Sequence, residues 1–152
     1  MAFEPVFSWP VRVYYEDTDH GGVVYYANYL KFMERARSEW LRSKGIEQDC
    51  LIEEQGVIFA VRSVQLDYLK PARFNQLLSV SLAITETGRA SMTFEQEVKL
   101  IESPLQQEEA SRDSPGAEVL CHGQVKVACL DAQTMKPKAI PVPLREEIFC
   151  DN

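Results

Sequence analysis

The feature of this sequence that most restricts its fold is a single change of hydrophobic period. Residues 24–44 place apolar side chains at every third or fourth position, which predicts one long amphipathic helix ended by Gly45. Beyond it, the chain alternates apolar and polar residues in four stretches, a pattern typical of strands with one buried face. Because the helix and the strands each have an apolar face to bury, we expect the sheet to wrap around the helix.

The four alternating stretches are longer than an average strand, which indicates one large curved antiparallel sheet of five or more strands in an α+β fold. On the strand predicted for 58–68, the even-numbered residues share one side. Arg62 and Gln96 interrupt the apolar rows and are either tolerated or next to a wet cleft. The remaining predicted elements are a first strand at 9–15 with Pro10 at the sheet edge, strands at 78–84, 90–100 and 119–129, and short helices at 47–54 and 144–149.

Composition restricts the function. The 152 residues fit one domain, 1–152, and the net charge of −7 argues against broad nucleic-acid or anionic-membrane binding. No run of about 18 apolar residues predicts a transmembrane helix, and residues 1–10 do not resemble a secretory signal. The polar connection at 102–117 reads as a long hairpin loop. We therefore expect a cytoplasmic protein that does not insert into membranes.

The cysteines and histidines do not predict a metal centre. The four cysteines form no C-x-x-C pair, and the chain has only two histidines, so the usual zinc spacing is missing. We expect all four thiols to be reduced and to pack as small hydrophobic residues in the core. His122 is predicted on the polar side of its strand, whereas His20 lies in a loop where solvation is its ordinary state.

The segment with the strongest chemical signal is Tyr14–Tyr29, YYEDTDHGGVVYYANY. Asp17 and Asp19 precede the long helix, and the glycines after them allow close backbone approach. Free N–H groups at a helix start can stabilise an oxyanion, and a nearby aspartate can act as nucleophile or general base. This combination suits attack on an activated carbonyl such as a thioester. A simple N-cap by one of the two aspartates is the structural alternative.

This segment resembles the active-site motif of the 4-hydroxybenzoyl-CoA thioesterase family, which has the hotdog fold and includes Tol–Pal-associated acyl-CoA thioesterases. The likeness continues at 30–37, 67–73 and 135–141 and covers nearly the whole chain apart from the longer 102–117 connection. It implies that Asp19 is the catalytic carboxylate, that the Tyr26 backbone N–H polarises the thioester carbonyl and that Asp17 is a loop or cap residue. Many Tol–Pal-associated members have His where this chain has Tyr26, which a backbone role tolerates.

The resemblance also implies how substrate binds. Gly22 lies in the catalytic loop, and Tyr25, Tyr26 and Tyr29 give an aromatic entrance that could stack on an aryl acyl group or, alternatively, pack against the sheet or a partner subunit. Coenzyme A is part of the substrate, so no separate cofactor is expected. The candidate CoA contacts are Arg89 and Ser91 after the turn at 87–88, followed by Lys70 and Arg73. Homodimers or homotetramers are expected, with Asp19 and the CoA contacts coming from different subunits.

For the acyl group, the Tyr-for-His exchange and the tyrosine cluster resemble the branch that hydrolyses 1,4-dihydroxy-2-naphthoyl-CoA in phylloquinone biosynthesis. A broader short-chain or aromatic acyl-CoA thioesterase of the Tol–Pal-associated type is the alternative enzyme. A non-catalytic hotdog module that binds acyl-CoA is the alternative from another class, and the retained Asp19 argues against it.

Overall fold

A computed structural model describes residues 3–102 and 118–149 of the chain. The predicted 102–117 connection therefore falls, beyond residue 102, outside the described residues. The elements, in chain order, are β1 (Phe7–Arg12), a 3₁₀ turn (Tyr15–Asp17), α1 (Asn28–Ser43), α2 (Gln48–Gln55), β2 (Val57–Tyr68), β3 (Leu77–Thr87), β4 (Ser91–Glu102), β5 (Glu118–Asp131) and α3 (Val142–Ile148).

The five strands form one antiparallel sheet in the order β1-β3-β4-β5-β2, which confirms the predicted five-stranded architecture. Pro10 lies on the edge strand β1, as predicted, where its missing N–H does not break a ladder on both sides. Gly56 ends α2 with φ of 67°, a left-handed conformation that glycine adopts without strain. No helix among the described residues is long and apolar enough to cross a bilayer.

Helix α1 packs its apolar face on the concave side of the sheet. The predicted stripe is confirmed, since Met33, Ala36 and Trp40 are each at most 3% exposed. The Trp40 ring meets Phe94 of β4 edge to face at 5.6 Å, which joins the helix to the sheet centre. Burying a side chain of this size contributes about 1.5–3 kcal/mol, so this face contributes much of the folding energy.

Gln96 is the polar residue that interrupts the apolar row of β4, and it is fully buried under α1. Its Nε2 donates to the Met33 carbonyl at 3.2 Å, and its Oε1 accepts from Arg37 Nη1 at 2.8 Å. Burial lowers the pKa of Arg37 to about 10. Gln96 therefore belongs to a satisfied contact between helix and sheet, and Arg62, the other interruption, is exposed.

A β-bulge in β2 overturns the predicted side-chain pattern of that strand. The register with β5 shifts between Val61 and Ser63, so Arg62 is an extra residue. Residues opposite each other in a ladder share a face, and the inward row is therefore 57, 59 and 61 followed by 64, 66 and 68. The prediction of one even-numbered row holds only after the bulge. A similar shift in β5 places Val119 opposite Lys99, away from the row that was predicted to contain it.

The cysteines divide into two environments. Cys121 and Cys129 are buried free thiols, as predicted, and burial raises the pKa of Cys121 to about 12. Cys50 is exposed on α2, so the prediction that it packs in the core is wrong. Cys150 lies outside the described residues. The buried thiols are poor nucleophiles because the thiolate is the reactive form.

Candidate active site

The loop between β1 and α1 folds back on itself and fixes the two aspartates. Thr18 bridges Val24 in antiparallel fashion, and the Asp19 N–H donates to the Val23 carbonyl at 2.9 Å. The Val24 N–H donates to the Ala72 carbonyl at 2.8 Å, which fastens the loop to the segment before β3. The segment that carries Asp19 is therefore held by backbone hydrogen bonds on both sides.

Asp17 has a structural role in this loop. It is only 8% exposed, and its carboxylate accepts the Tyr14 N–H at 2.8 Å. Its backbone carbonyl accepts the Tyr25 N–H at 3.0 Å and the Asn28 side-chain amide at 2.9 Å. The α1 N-cap is instead Ala27, which makes no side-chain cap bond, so the N-cap alternative for the aspartates is wrong.

Asp19 differs from Asp17 because its side chain is exposed. Its Oδ1 accepts the Gly21 N–H at 2.9 Å, which closes a tight local turn. Gly22 follows with φ of 77°, and nothing lies within 4 Å of where its Cβ would be. Of the two aspartates, Asp19 is thus the one whose carboxylate is exposed, and the space beside Gly22 in the same loop is open.

Helix α1 begins at Asn28, four residues later than the predicted start at Val24. The difference arises because Val23 and Val24 are in antiparallel β-bridges with Arg73 and Thr18, and this extended pairing excludes a helical conformation there. Tyr26 consequently lies two residues before the helix. Within residues 3–102 and 118–149, its backbone N–H donates no hydrogen bond, which leaves it available to an acceptor on a ligand.

The predicted tyrosine cluster exists and includes a fourth member. The rings of Tyr25 and Tyr26 are 4.7 Å apart, and both are exposed. Their hydrogen bond raises the pKa of Tyr25. Tyr68, at the end of β2, meets both Tyr26 and Tyr29 edge to face and donates its hydroxyl to the Tyr26 carbonyl at 3.1 Å. The inward position of Tyr68, produced by the β2 bulge, is what joins it to the cluster.

Tyr29 is part of the core. It is 3% exposed, and its hydroxyl accepts the Ala72 N–H at 3.0 Å. Burial raises the pKa of this hydroxyl. The packing alternative therefore describes Tyr29, whereas Tyr25 and Tyr26 remain open to solvent or to a ligand.

An open groove of about 490 Å³ lies at Asp19. Its lining includes two predicted site residues, Asp19 and Gly22, and two aromatic residues that the sequence analysis did not predict at the site, Tyr15 and Phe74. The full lining is Tyr15, Thr18, Asp19, His20, Gly22 and Phe74. The Tyr15 and Phe74 rings meet edge to face at 5.9 Å. The repeated tyrosines of the motif indicated an aromatic surface, but Phe74 follows β2 and gave no signal of its proximity.

The predicted CoA contacts Arg89 and Ser91 lie at the β3–β4 turn, which hydrogen bonds from the 140–145 region hold in place. Arg89 is exposed, and its carbonyl accepts the Ile140 N–H at 2.9 Å and the Arg145 guanidinium at 3.0 Å. Arg145 also donates to the Gly88 carbonyl at 2.9 Å. Ser91 begins β4 and its carbonyl accepts the Gly88 N–H at 2.8 Å. The C-terminal helix thus holds the turn that carries Arg89.

Lys70 and Arg73 lie at the other end of the sheet. Lys70 is exposed and pairs with Glu118 at 3.0 Å. Arg73 is exposed beside the loop that carries Asp19, where its backbone forms an antiparallel β-bridge with Val23. The eleven residues of β3 separate this end from the Arg89 turn, a span of about 35 Å. Arg89 and Asp19 of the same chain therefore lie far apart.

Metal-binding side chains do not cluster at this site. In the part of the chain that the structure describes, no three His, Cys, Asp or Glu side chains are arranged to hold an ion. His122 lies on the outer face, 4.0 Å from Asp67, and does not approach the groove lining.

Comparison with known proteins agrees with this architecture. Residues 21–105 match the family model described as the thioesterase superfamily. The match begins just after Asp19 and includes the tyrosine cluster. The structure also resembles the solved structure of Slr0204, a 1,4-dihydroxy-2-naphthoyl-CoA thioesterase from Synechocystis, with a TM-score of 0.78. The match covers 95% of this chain and 96% of that chain. At 24% identity, this likeness establishes the fold.

Two curated relatives cover nearly the full length. The acyl-CoA thioesterase YbgC of Haemophilus influenzae is 44% identical over 135 residues, which are 89% of this chain and 88% of that protein. The 1,4-dihydroxy-2-naphthoyl-CoA hydrolase of Synechocystis is 26% identical over 95% of both chains. The chain therefore belongs to the thioesterase superfamily, as a thioester hydrolase of the hotdog fold.

Proposed function

We propose that the protein hydrolyses acyl-CoA thioesters to a carboxylic acid and free CoA, with Asp19 as the catalytic carboxylate. The observation that carries this proposal is the exposed Asp19 side chain, which lines a groove and is positioned by its hydrogen bond from the Gly21 N–H. The Haemophilus influenzae relative supports it, because that protein is named an acyl-CoA thioesterase. Asp19 Oδ1 accepts the Gly21 N–H, whereas Oδ2 accepts no hydrogen bond from the described residues and is accessible to substrate or water.

Two chemical routes are open to Asp19. In the first, a carboxylate oxygen attacks the thioester carbonyl, the C–S bond breaks, CoA leaves as a thiolate that takes up a proton, and water then hydrolyses the mixed anhydride. In the second, Asp19 removes a proton from a water molecule that attacks the same carbon. In both routes, the unpaired Tyr26 N–H would donate to the developing oxyanion.

The proposed site needs a second copy of the chain. Strand β2 is at a sheet edge, and no described strand pairs with its outer side. Three of its inward-row residues remain 40–49% exposed, namely Val61, Val64 and Tyr68. An unpaired edge of twelve residues with apolar side chains favours pairing with an identical edge. We therefore propose that β2 pairs with β2 of a partner protomer, as a dimer or within a tetramer.

Such pairing would bring the two halves of the site together. Val57, at the start of β2, pairs with Asp131 of β5, and Ser91, at the start of β4, pairs with Ala128 of β5. The start of β2 therefore lies at the end of the sheet that carries the Arg89 turn. Tyr68 lies at the end that carries the Asp19 loop. Antiparallel β2 strands place the start of one against the end of the other. The Arg89 turn of one protomer would then lie on the same side as Asp19 of its partner.

The acyl group divides the proposal in two. The Haemophilus influenzae relative at 44% identity is named only for acyl-CoA, which favours a broader acyl-CoA thioesterase. Hydrolysis of 1,4-dihydroxy-2-naphthoyl-CoA in phylloquinone biosynthesis is the second candidate, and the 26% identical Synechocystis hydrolase and the exposed Tyr25 and Tyr26 rings support it. A panel of dihydroxynaphthoyl-, benzoyl- and butyryl-CoA decides between them. A clear preference in kcat/KM for the naphthoyl ester selects the second candidate, and comparable values discard it.

The catalytic role is tested by Asp19→Asn. Loss of a general base or nucleophile lowers kcat by roughly 10²- to 10⁴-fold, while the Asn oxygen can still accept the Gly21 N–H and preserve the loop. Glu16→Gln is the matched control, since it removes a negative charge from an exposed side chain of the same loop. An Asp19→Asn enzyme with unchanged kcat refutes the proposal. A single turnover in ¹⁸O-labelled water tests the first route, since label in Asp19 requires an anhydride that water opens at the Asp19 carboxyl carbon. Label only in the product is the result both for the base and for an anhydride opened at the acyl carbon.

Complementation tests the shared site. Asp19→Asn and Arg89→Ala chains, each weak alone, are mixed, dissociated and reassociated at low substrate concentration. If Arg89 acts across the interface, each mixed dimer contains one intact site and activity rises above both parents. No recovery in demonstrably mixed dimers contradicts the arrangement.

A further inference from the structure

The Asp19 groove has a wall of two aromatic rings that the proposed chemistry does not use. Tyr15 is 81% exposed and Phe74 is 50% exposed, although both are bulky rings. They meet at 5.9 Å with an interplanar angle of 80° and line the same groove as Asp19. Rings of this size are normally buried, so a pair left open beside a candidate catalytic group indicates a surface that a ligand covers.

Backbone hydrogen bonds fix the main chain of Tyr15 and Phe74 beside the groove. The Tyr15 carbonyl accepts the Thr18 hydroxyl at 2.8 Å and the Thr18 N–H at 3.1 Å, within the 3₁₀ turn that precedes Asp19. The Phe74 N–H donates to the Gly22 carbonyl at 3.3 Å, so this residue is tied to the opposite side of the same loop. The main chain therefore keeps both residues beside the groove before any ligand binds, which limits the backbone entropy lost on contact.

The reach of the substrate identifies which part would contact this wall. The carbonyl carbon must lie against Asp19, so the atoms that share its groove are within a few bonds of that carbon. The acyl group and the sulfur end of the pantetheine arm satisfy this condition, whereas the adenine of CoA is separated from the sulfur by the whole arm. Of the first two, only the acyl group can supply a planar ring. Planar aryl groups gain from edge-to-face and stacked contacts with aromatic side chains, whereas aliphatic chains gain only burial.

We propose that Tyr15 and Phe74 form the wall that selects aryl over aliphatic acyl groups in the Asp19 groove. This inference rests on the proposed thioesterase function and names its substrate class. The groove volume of about 490 Å³ accommodates one or two fused rings. The assignment makes these two residues specificity-determining and leaves the attack on the carbonyl to Asp19.

The test compares benzoyl-CoA with butyryl-CoA in Tyr15→Leu and Phe74→Leu enzymes. Leucine keeps an apolar side chain of substantial size and removes the ring. We expect the benzoyl-to-butyryl ratio of kcat/KM to fall by roughly 2- to 10-fold for each substitution. Tyr14→Leu is the matched control, because Tyr14 is a neighbouring ring, 59% exposed, outside the groove lining. Its ratio is expected to remain that of the wild type.

Three outcomes overturn the wall. The first is an unchanged ratio with both activities intact. The second is an equal fall for both esters, which is the result for a ring that supports the loop or contacts a partner protomer. The third is a fall for both CoA esters that is absent with the matching N-acetylcysteamine thioesters, which would place the nucleotide end of CoA against the rings. Asp19→Asn is measured in parallel. If that variant is fully active, the thioesterase assignment itself fails; if it is inactive and the ratio is unchanged, only the wall fails.

Discussion

The buried contact between Arg37 and Gln96 allows a quantitative test of how α1 is fixed to the sheet. Replacing Gln96 with Leu removes a hydrogen bond of 2.8 Å to a guanidinium and one of 3.2 Å to the Met33 carbonyl. A bond to a charged group contributes about 1.5–3 kcal/mol and a neutral one about 1 kcal/mol, partly offset by burying the leucine. We expect the free energy of unfolding to fall by about 2–3 kcal/mol.

The partner substitution is predicted to be milder. Arg37→Met leaves the Gln96 oxygen unpaired, at a cost of about 1–2 kcal/mol. It also removes a cation whose charged form is disfavoured by burial, which lowers the pKa of Arg37 to about 10. Because both folded and unfolded chains are protonated at neutral pH, this penalty is constant there and does not complicate the measurement. The double variant has neither an unpaired amide oxygen nor a buried charge.

A double-mutant cycle in urea measures the coupling. The double variant is expected to lose about 2 kcal/mol less than the sum of the single variants. In thermal melts, Gln96→Leu alone corresponds to a fall in Tm of roughly 4–12 °C for a chain of this length. Additivity of the two substitutions within about 0.5 kcal/mol would refute the reasoning, because it would mean that the 2.8 Å bond contributes nothing to stability.

Further substitutions test other contacts. Gly123→Ala would place a Cβ 2.2 Å from the Gln65 carbonyl oxygen, and we expect it to abolish the cooperative thermal transition; Gly21→Ala, whose nearest contact is 3.4 Å, is the control that should melt normally. Arg145→Ala frees two carbonyls of the β3–β4 turn and should raise KM for CoA esters by roughly 3- to 10-fold with kcat retained; an unchanged KM would separate the turn from CoA binding. Tyr29→Phe leaves a buried loop amide without its acceptor and should lower the free energy of unfolding by about 1–2 kcal/mol in denaturant titrations, and an unaltered midpoint would contradict that role.

Local patterns predicted most of the fold because they follow directly from side-chain period. The buried stripe of α1 and the rows of β3 and β4 are where the alternation placed them. The start of α1 was misplaced because Val23 and Val24 are held in β-bridges, and the partner of Val23, Arg73, is brought close only by the tertiary structure. The face of the first half of β2 was misplaced because a single extra residue inverts the alternation, and Arg62 has no sequence feature that distinguishes a bulge from a polar inward position.

The candidate site shows the same division between local and distant information. The motif at 14–29 left both aspartates as candidates, and the family resemblance favoured Asp19. The structure shows how the two differ, since the Asp17 carboxylate is used within the loop and the Asp19 side chain is exposed. Tyr15 and Phe74 could not be paired from the sequence, because the contact depends on how the segment before β3 returns to the loop. The distance between Arg89 and Asp19 along β3 likewise appears only when the sheet order is known.

The bulge at Arg62 has a consequence for which changes in chain length β2 can absorb. Without Arg62, Val61 and Ser63 would become consecutive partners of Val127 and Lys126, and every other side chain of the strand would keep its present face. A second inserted residue that the strand did not accommodate as another bulge would shift the register and move the side chains of part of the strand to the opposite face of the sheet. β2 is therefore expected to tolerate a deletion better than an insertion. Deletion of Arg62 would reduce the local twist and keep the buried row intact.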